Sequence, residues 1–411
     1  MSARRRVVIV GSGGREHALA HVLGRTADVV VTPGNAGIAG STDTPATELE
    51  ADLFVIGPEQ PLVDGLADEL RAQGKRVFGP GADGARLEGS KAWMKALFER
   101  AGIPTARHAT FGPGQEAEAR AFLDTLAPPY VLKTDGLAAG KGVLVTDDRA
   151  EADAGVDAYL SGEAFGDAGT TLVIEEGLVG PELSVFAVCD GTTAVLCGAA
   201  QDHKRVGDGD SGPNTGGMGT YSPVPGVDDA LLDDILHRCI VPTLDALRGE
   251  GIDYRGFLFC GLMLTADGPK VLEYNVRFGD PEAQVVLPRI TSDLAALLAS
   301  AADGALGDAP TFDDGAAVCV VAASEGYPAS PRTGDVIEGL DEVATLDDVA
   351  VFCAGVRADG AGHLVTAGGR VLNVVGRGPD VPTARARAYD AIGHIRWPGM
   401  HHRSDIAASA G

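Results

Sequence analysis

A glycine-rich turn directly follows the first apolar segment of the chain, and it constrains the fold more than any other feature. Val7–Val10 predicts a buried strand, and Gly11–Gly14 leads from it into a helix. Further apolar segments at Val29–Val31, Leu53–Ile56 and Val77–Phe78 also predict strands that stop at Gly or Pro residues. Open α/β sheets bind ligands at the carboxyl edge of their strands. These turns therefore predict a doubly wound α/β domain with a binding site at that edge.

The turn itself suggests a bound anion, since a helix N-terminus presents free backbone N–H groups. A dinucleotide is disfavoured because Glu16 stands at the sixth position of the fingerprint, which requires Gly or Ala. The second predicted strand ends in Pro33–Gly37, without an acidic residue to hold a ribose. We therefore expect a smaller phosphate ester, which argues against a nicotinamide oxidoreductase. A tight turn without any ligand is the alternative.

Length and charge limit the remaining possibilities. The chain has 411 residues, more than one hydrophobic core usually supports, so about two to four domains are expected. The formal charge of −25 argues against nucleic acid or an anionic membrane as a partner. No apolar stretch approaches the roughly 18 residues of a membrane span. The six cysteines are scattered, as expected of buried, reduced thiols in a cytoplasmic protein.

A second glycine-rich segment, which contains Lys141, lies between the predicted strands Tyr130–Lys133 and Val143–Thr146. It differs from the common phosphate-binding loop because Gly142 stands where that motif has Ser or Thr, and because a strand follows instead of a helix. The pattern favours a hairpin flap that covers phosphates. A merely flexible hairpin tip is the alternative.

Three polar residues alternate along the end of a later strand. Glu273, Asn275 and Arg277 follow an apolar pair and share one face of an extended segment. A carboxylate and an amide oxygen suit a hard cation that also binds phosphate oxygens, and the arginine could clamp an anion. The alternative is a polar strand face that precedes a helix after Pro281.

Two longer regions complete the pattern. Gln201–Arg205 and Gly207–Tyr221 are polar and rich in glycine, and we expect a long substrate loop without secondary structure there. After about residue 310, short apolar segments separated by Gly predict an α+β cap that carries few chemical groups. Lys91 and Lys95 lie four residues apart, on one face of a helix that ends at Gly102.

In this order, the features resemble the ATP-grasp ligases, and within them the phosphoribosylamine–glycine ligase family. The resemblance rests on strings that span nearly the whole chain, at 13–18, 33–37, 57–62, 87–92, 135–143, 201–205, 212–219 and 277–282. It implies an α/β and α+β multidomain protein with a doubly wound N-terminal domain (1–102), an ATP-grasp domain (103–308) with a mobile flap subdomain (about 107–179), and a small α+β C-terminal domain (309–411). The sequence departs from the family in its short segment 38–52 and in Tyr274, where Phe is expected.

The family implies that ATP, glycine and 5-phosphoribosylamine give glycinamide ribonucleotide, ADP and phosphate through a glycyl phosphate, in de novo purine biosynthesis. It implies Mg²⁺ or Mn²⁺ on Glu273 and Asn275, and catalytic roles for Arg277, Lys141 and Asp280. ATP would bind at Lys91, Lys133, Gly136, Gly140, Lys141, Gly142, Glu175, Glu176, Leu178 and Glu182. The other substrates would bind at Gly11, Gly13, Gly14, Arg15, Glu16, Gly34, Asn35, Glu59, Lys204, Arg205, Asn214, Gly216, Gly217 and Met218.

Two alternatives share part of this pattern. A sister ATP-grasp enzyme that carboxylates or formylates a purine intermediate would have the same flap and metal strand, but strings 212–219 and 277–282 resemble the glycine ligase specifically. A non-catalytic nucleotide-binding regulator could lose Glu273, Asn275 or Arg277, and all three are present. We expect a cytoplasmic monomer that acts on small molecules, without a nucleic-acid or membrane partner.

Overall fold

A parallel four-stranded sheet forms the N-terminal region of the computed structural model, which describes residues 4–137, 142–162 and 170–410. Its strands, in the spatial order β2-β1-β3-β4, are β1 (Arg5–Gly11), β2 (Ala27–Pro33), β3 (Leu53–Ile56) and β4 (Val77–Phe78). The helices of this region are α1 (Gly14–Leu23), α2 (Glu59–Val63), α3 (Leu66–Ala72), α4 (Ala82–Gly89) and α5 (Lys91–Ala101). The doubly wound prediction is confirmed, because short apolar runs that are buried on both faces suit parallel strands.

The short segment 38–52 replaces a crossover helix with a single 3₁₀ turn at Ala46–Glu48. The polypeptide still reaches β3, which pairs with β1 in parallel register, Val8 opposite Phe54. Helix α5 has Ser90 as its N-cap, whose side chain accepts a hydrogen bond from the Trp93 N–H, and Gly102 in the left-handed conformation as its C-cap.

The flap is a separate antiparallel sheet with the spatial order β5-β8-β6-β7 and two helices packed on it. Its elements are β5 (His108–Phe111), α6 (Glu116–Leu123), β6 (Tyr130–Thr134), β7 (Val143–Thr146), α7 (Arg149–Leu160) and β8 (Leu172–Glu176). The predicted strand pair around the glycine segment is confirmed, Lys133 lying opposite Val143. The tip residues Gly140 and Lys141 lie outside the described residues, and the motion of the flap stays a prediction.

An eight-stranded antiparallel sheet, in the order β15-β14-β9-β10-β13-β16-β20-β17, joins the central and C-terminal regions. The central elements are β9 (Glu182–Asp190), β10 (Ala194–Asp202), β11 (Arg205–Gly207), β12 (Ser211–Asn214), β13 (Gly219–Ser222), α8 (Asp229–Ile235), α9 (Val241–Gly249), β14 (Arg255–Thr265), β15 (Gly268–Asn275), α10 (Ala283–Val286) and α11 (Leu294–Ala302). A π-helical turn at Leu236–Ile240 connects α8 to α9, and a 3₁₀ turn at Leu287–Arg289 follows α10.

The C-terminal elements are β16 (Ala316–Ala323), α12 (Leu340–Val343), β17 (Val349–Cys353), β18 (Val356–Ala358), β19 (Leu364–Thr366), β20 (Arg370–Gly378) and α13 (Val381–His394), followed by a 3₁₀ turn at Ala408–Ala410. Strand β16 pairs with β13, Val318 lying opposite Tyr221, so this region continues the central sheet. The predicted domain boundaries at 102 and 308 fall after α5 and between α11 and β16, and they stay predictions.

The expectation of a structureless loop over 201–221 is wrong. β11 and β12 form a hairpin, Arg205 opposite Asn214, and β13 is a fully buried strand of the large sheet. The sequence does not predict these strands because Gly and polar residues dominate the segment 201–221. The strands form because neighbouring strands supply their backbone hydrogen-bond partners.

The N-terminal and C-terminal regions also touch directly. The Cys353 N–H donates to Nδ1 of His17 at 2.8 Å, and the His17 ring stands edge-on to Phe352 with centroids 5.5 Å apart. Asn35 Nδ2 donates to the carbonyl oxygens of Cys353 and Ala354. The segment 33–37, which was predicted to bind a substrate, therefore packs against the C-terminal strands. Within the described ranges, no helix has the length and apolar character of a membrane span, and all six cysteines are buried and free.

Candidate active site

A cavity of about 590 Å³ lies where the N-terminal sheet edge, the flap, the central sheet and the C-terminal region meet. Its lining includes twelve of the residues predicted from sequence, namely Arg15, Glu59, Lys91, Gly136, Gly142, Lys204, Asn214, Gly216, Glu273, Asn275, Arg277 and Asp280. These residues come from segments far apart in the chain. The fold brings them together at the carboxyl edge of the N-terminal sheet, where the Gly and Pro turns predicted a binding site.

The predicted metal ligands lie at the end of β15. Glu273 and Asn275 both line the cavity, and β15 holds them at alternate positions. Asn275 uses its Nδ2 to donate to the Tyr274 carbonyl at 3.1 Å. Within the described ranges, no protein donor reaches the Glu273 carboxylate or the Asn275 side-chain oxygen. Two unpaired oxygen ligands in a polar cavity fit a hard divalent cation that takes its other ligands from phosphates and water.

Few protein ligands are available for such a cation. Across the part of the chain that the structure describes, no cluster of three or more His, Cys, Asp or Glu side chains has metal-binding geometry. Lys91 reaches over the same end of the cavity and donates from Nζ to the Gly136 carbonyl at 2.9 Å. Burial lowers the pKa of Lys91. This end therefore combines two oxygen ligands with a desolvated ammonium group.

Arg277 lies between two carboxylates. Its Nη2 is 2.6 Å from Glu88 Oε1, and its Nε is 3.1 Å from Glu59 Oε2. Burial opposes the charge of Arg277, but the two carboxylates outweigh burial and raise its pKa. Burial raises the pKa of Glu88 to about 7 in spite of the arginine. Near neutral pH, Glu88 can therefore gain or lose a proton next to a permanent cation. Glu88 was not predicted from the sequence.

Beneath the flap, a buried ion triad connects α5, β6 and β8. Glu175 forms ion pairs with both lysines, Oε1 lying 2.9 Å from Lys133 Nζ and Oε2 lying 3.0 Å from Lys95 Nζ, and all three side chains are buried. Burial opposes ionisation of Glu175, but the two lysines lower its pKa to about 2. Burial lowers the pKa of Lys95 to about 8. Lys95 was not assigned to the site, although its spacing from Lys91 was a usable signal.

The remaining acids predicted to frame the nucleotide are paired with cations outside this triad. Glu176 accepts from the Arg107 N–H at 3.0 Å and from Lys270 Nζ at 3.4 Å. Glu182 forms an ion pair with Lys204. Glu175, Glu176, Leu178, Glu182 and Lys133 are not among the residues that line the cavity.

The hairpin β11–β12 brings Asn214, Thr215 and Gly216 to the cavity, while Met218 is buried in the core, and Arg205 and Gly217 do not line the cavity. Two acids near this loop, Asp202 and Glu282, also line the cavity and were missed. Burial and the neighbouring Asp202 carboxylate raise the pKa of Glu282 to about 7. Both acids lie in strings that carry the family resemblance, at 201–205 and 277–282, and these strings were a usable signal.

The glycine turn after β1 already has protein partners. The Gly13 N–H donates to Glu16 Oε2 at 2.6 Å, the Arg15 N–H donates to Asp280 Oδ2 at 3.3 Å, and the Gly34 N–H donates to the Gly11 carbonyl at 3.0 Å. A Cβ atom on Gly14 would lie 2.2 Å from Asn373 Nδ2. Of this group only Arg15 lines the cavity; Gly11, Gly13, Gly14, Glu16, Gly34 and Asn35 do not.

The C-terminal region carries more chemistry than expected. Tyr327 and Arg370 line the cavity together with Gly369, so the prediction of a cap with few chemical groups is wrong. The residues are isolated in sequence, and only the pairing of β16 with β13 and β20 brings them to the site.

A flap over a polar cavity, with lysines above a carboxylate–amide pair, places the protein in the ATP-grasp class. Distant solved structures share this fold. The biotin carboxylase domain of Hydrogenobacter thermophilus 2-oxoglutarate carboxylase is 16% identical, with a TM-score of 0.71 over 98% of this chain and 92% of that chain. Biotin carboxylase from Campylobacter jejuni is 15% identical, with a TM-score of 0.71 over 97% and 93% of the two chains.

Closer relatives define the family. The models for the N domain, the ATP-grasp (A) domain and the C domain of phosphoribosylglycinamide synthetase match residues 5–88, 89–283 and 317–409. Phosphoribosylamine–glycine ligase of Caulobacter vibrioides is 50% identical over 97% of both chains, and that of Streptomyces coelicolor is 48% identical over 98% of this chain and 99% of the relative. The crystal structure of phosphoribosylamine–glycine ligase from Thermotoga maritima is 36% identical, with a TM-score of 0.87 over 98% of this chain and all of that one.

The chain belongs to the phosphoribosylglycinamide synthetase family, which confirms the resemblance found in the sequence. It is an ATP-dependent ligase that acts on small molecules and uses a divalent metal ion.

Proposed function

We propose that this enzyme joins glycine to 5-phosphoribosylamine at the expense of ATP, giving glycinamide ribonucleotide, ADP and phosphate in purine biosynthesis. The observation that carries the proposal is the convergence of Glu273, Asn275, Lys91 and Arg277 on one cavity, opposite the Asn214–Gly216 loop. ATP can bind at the end of the cavity that contains Glu273, Asn275 and Lys91. The amine substrate can approach from the end formed by the Asn214–Gly216 loop.

The nucleotide end lies under the flap. Lys91 and Lys133 would neutralise the phosphates of ATP, with the backbone of Gly136 and Gly142 along the flap strands; Gly140 and Lys141 are assigned to the same role from sequence. Glu175, Glu176 and Leu178 would frame the adenine, and Glu182 would hold the ribose. Glu273 and Asn275 would hold Mg²⁺ or Mn²⁺, which when bound offsets the negative charge of the phosphates.

The acyl end needs a fixed positive charge. A carboxylate becomes a good acylating agent once its oxygen is phosphorylated, and the reaction then depends on positioning and on charge stabilisation. Arg277 supplies a buried, permanently charged guanidinium group whose present partners are Glu88 and Glu59. Protonation of Glu88, whose pKa is about 7, would release one face of Arg277 to the acyl phosphate.

The attacking amine must also lose a proton. Glu282, whose pKa is raised to about 7, is suited to accept it, since Glu88 must keep its own proton to release Arg277. Asp280 is a poorer acceptor: burial favours its neutral form, but Arg370 and Arg15 outweigh burial and lower its pKa. We therefore propose that Asp280 orients the amine substrate as a carboxylate. Arg15, Lys204 and the Asn214–Gly216 loop would bind the other parts of the two substrates.

One chain supplies both the predicted nucleotide end and the predicted acyl end of the cavity, which supports action as a monomer, and sedimentation of the purified protein would test this. Buried free thiols and dependence on ATP support a cytoplasmic location.

The decisive experiment is ADP release with Mg·ATP and glycine, measured with and without freshly prepared phosphoribosylamine. We expect ADP only when both substrates are present. Arg277→Ala should lower kcat by roughly 10²–10³-fold while ATP still binds, since it removes a charge that acts at the acyl phosphate. Glu273→Gln should raise the metal concentration required for activity.

A matched control is Arg396→Gln, which removes an exposed arginine paired with Glu338 in the C-terminal region. It should leave the rate unchanged. ADP formation with bicarbonate or another carboxylate in place of glycine would contradict the proposed substrate. If no ADP forms with any carboxylate, the proposed reaction is wrong.

A further inference from the structure

One wall of the cavity comes from the C-terminal region, and the reaction described above gives its polar groups no task. Arg370 is the first residue of β20, and Tyr327 lies in the loop that follows β16. Both line the cavity next to the Asn214–Gly216 loop, which they contact through Gly216. The side chain of Arg370 is 21% exposed, so it is packed but still accessible to a ligand.

Arg370 is held firmly by one end of its guanidinium group. Nη1 donates to the Gly216 carbonyl at 2.6 Å and to the Asp280 carbonyl at 2.6 Å, and it lies 3.4 Å from Asp280 Oδ1. A Cβ atom on Gly216 would lie 3.0 Å from Arg370 Cζ and 3.1 Å from Nη2. The loop therefore lies flat on the guanidinium plane, which fixes the orientation of that plane.

The other donors of Arg370 are free. Among residues 4–137, 142–162 and 170–410, none accepts a hydrogen bond from Nε or Nη2 of this arginine. Tyr327 Oη accepts from the Gly216 N–H at 3.1 Å, so its hydroxyl proton remains available for donation. The free edge of an arginine can bind a phosphate through charge-assisted hydrogen bonds, and the phenolic O–H adds a further donor.

The other cations of the cavity are committed elsewhere. Arg277 is paired with Glu59 and Glu88, and Lys204 is paired with Glu182. Arg15 donates to Glu16 Oε1 and to the Phe278 carbonyl. Lys91 has no carboxylate within ion-pair distance in the described residues, but it belongs to the nucleotide end, near Glu273. Arg370 also has a carboxylate partner, Asp280, but this partner engages Nη1, and Nε and Nη2 remain for an anion at the opposite end.

We propose that Arg370 and Tyr327 bind the phosphate group of the sugar-phosphate substrate, with the sugar directed toward Asp280. The assignment rests on the proposed function, in which that substrate is 5-phosphoribosylamine. It also moves the phosphate away from the glycine turn after β1, where the N–H groups of Gly13 and Arg15 already donate to carboxylates. In this arrangement the C-terminal region selects phosphorylated over unphosphorylated sugars.

The test is calorimetric binding of ribose 5-phosphate and of ribose to the full-length protein, without nucleotide. Wild type should bind ribose 5-phosphate at least about tenfold more tightly than ribose, because charge-assisted hydrogen bonds act on the phosphate alone. Arg370→Gln should weaken ribose 5-phosphate binding by about ten- to a hundredfold and leave ribose binding unchanged. Arg370→Lys should recover part of the loss, and Tyr327→Phe should cost about three- to tenfold.

If Arg370 only supported the structure of the site, its replacement would also change KM for ATP and for glycine. In the ADP assay, Arg370→Gln should raise KM for phosphoribosylamine and leave KM for ATP and for glycine within about twofold, while Arg396→Gln should match wild type. Equal loss of ribose and ribose 5-phosphate binding, or equal affinity of wild type for the two sugars, would overturn the proposal. If wild type forms ADP with glycine and phosphoribosylamine but Arg370→Gln is unaffected, this inference fails and the proposed function stands.

Discussion

Replacing His17 with Asn should make the stability of this enzyme less sensitive to acid. His17 lies on α1 and is largely buried against the C-terminal region, and its Nδ1 accepts the Cys353 N–H at 2.8 Å. The protonated ring could not accept that bond. Burial, reinforced by the nearby His21, lowers the pKa of His17 to about 4 from the usual 6.5. The fold therefore favours the neutral ring.

Proton uptake by the unfolded chain determines how the stability changes with pH. Between pH 6.5 and about 4 the unfolded chain carries a proton on His17 that the folded chain lacks, so stability falls as the pH is lowered through this window. The full loss below pH 4 is about 3 kcal/mol at about 1.4 kcal/mol per pKa unit, and the loss at pH 5 is about 2 kcal/mol. Above pH 6.5 the contribution of the neutral ring is complete.

Asn offers a side-chain oxygen close to the position of Nδ1 and does not titrate. It loses the edge-on contact with Phe352, which should cost about 1 kcal/mol at every pH. Urea unfolding at pH 8 and pH 5 separates the two effects. We expect His17→Asn to be the less stable protein at pH 8 and to lose about 2 kcal/mol less than wild type on going to pH 5.

The matched control is His237→Asn, at an exposed histidine in the π-helical turn. It should leave the pH dependence of wild type unchanged. Equal losses between pH 8 and pH 5 in wild type and His17→Asn would refute the reasoning, because the contact with Cys353 would then not restrict protonation.

Two further substitutions test the packing around the site. Glu175→Gln leaves two buried lysines beside a neutral side chain, so unfolding free energy should fall by about 3–5 kcal/mol and ATP should bind more weakly; Glu176→Gln, at a partly exposed pair with Lys270, should cost under about 1 kcal/mol. Stability losses of equal size in chemical denaturation would contradict the buried triad. Gly376→Ala places Cβ 2.3 Å from the Ala384 carbonyl oxygen and should lower the melting temperature through a cost of at least about 2 kcal/mol, whereas Gly393→Ala on α13, with open space around it, should be neutral or stabilising. A tolerated Gly376→Ala would show that α13 moves easily over β20.

Local patterns carried much of the prediction. Strands β3 and β4 have the predicted bounds, because short apolar runs that end at Gly or Pro specify both the strand and its end. The common position of Glu273 and Asn275 was also predictable, because alternation along β15 places them on one side wherever that strand lies in the fold; their role as metal ligands stays a prediction. The strings shared with the family added the order of the domains.

Contacts distant in sequence could not be predicted in the same way. The polar hairpin β11–β12 lacks an apolar pattern, and its strands are stabilised by backbone pairing with each other. Glu88 and Glu282 lie in strings shared with the family, at 87–92 and 277–282, but these strings do not reveal how the two acids titrate. Their pKa values near 7 arise from desolvation, which depends on the surrounding protein and not on neighbouring letters.

The sequence by itself determined the doubly wound start, the flap strands, the alternation of Glu273 and Asn275 on β15 and the family, because each depends on short-range periodicity or on an ordered set of motifs. Only the tertiary structure decided that Asp280 meets Arg15 from the N-terminal region and Arg370 from the C-terminal region in one cavity. The physical reason is that ion pairing and desolvation act over a few ångströms of space, whereas these residues are separated by most of the chain.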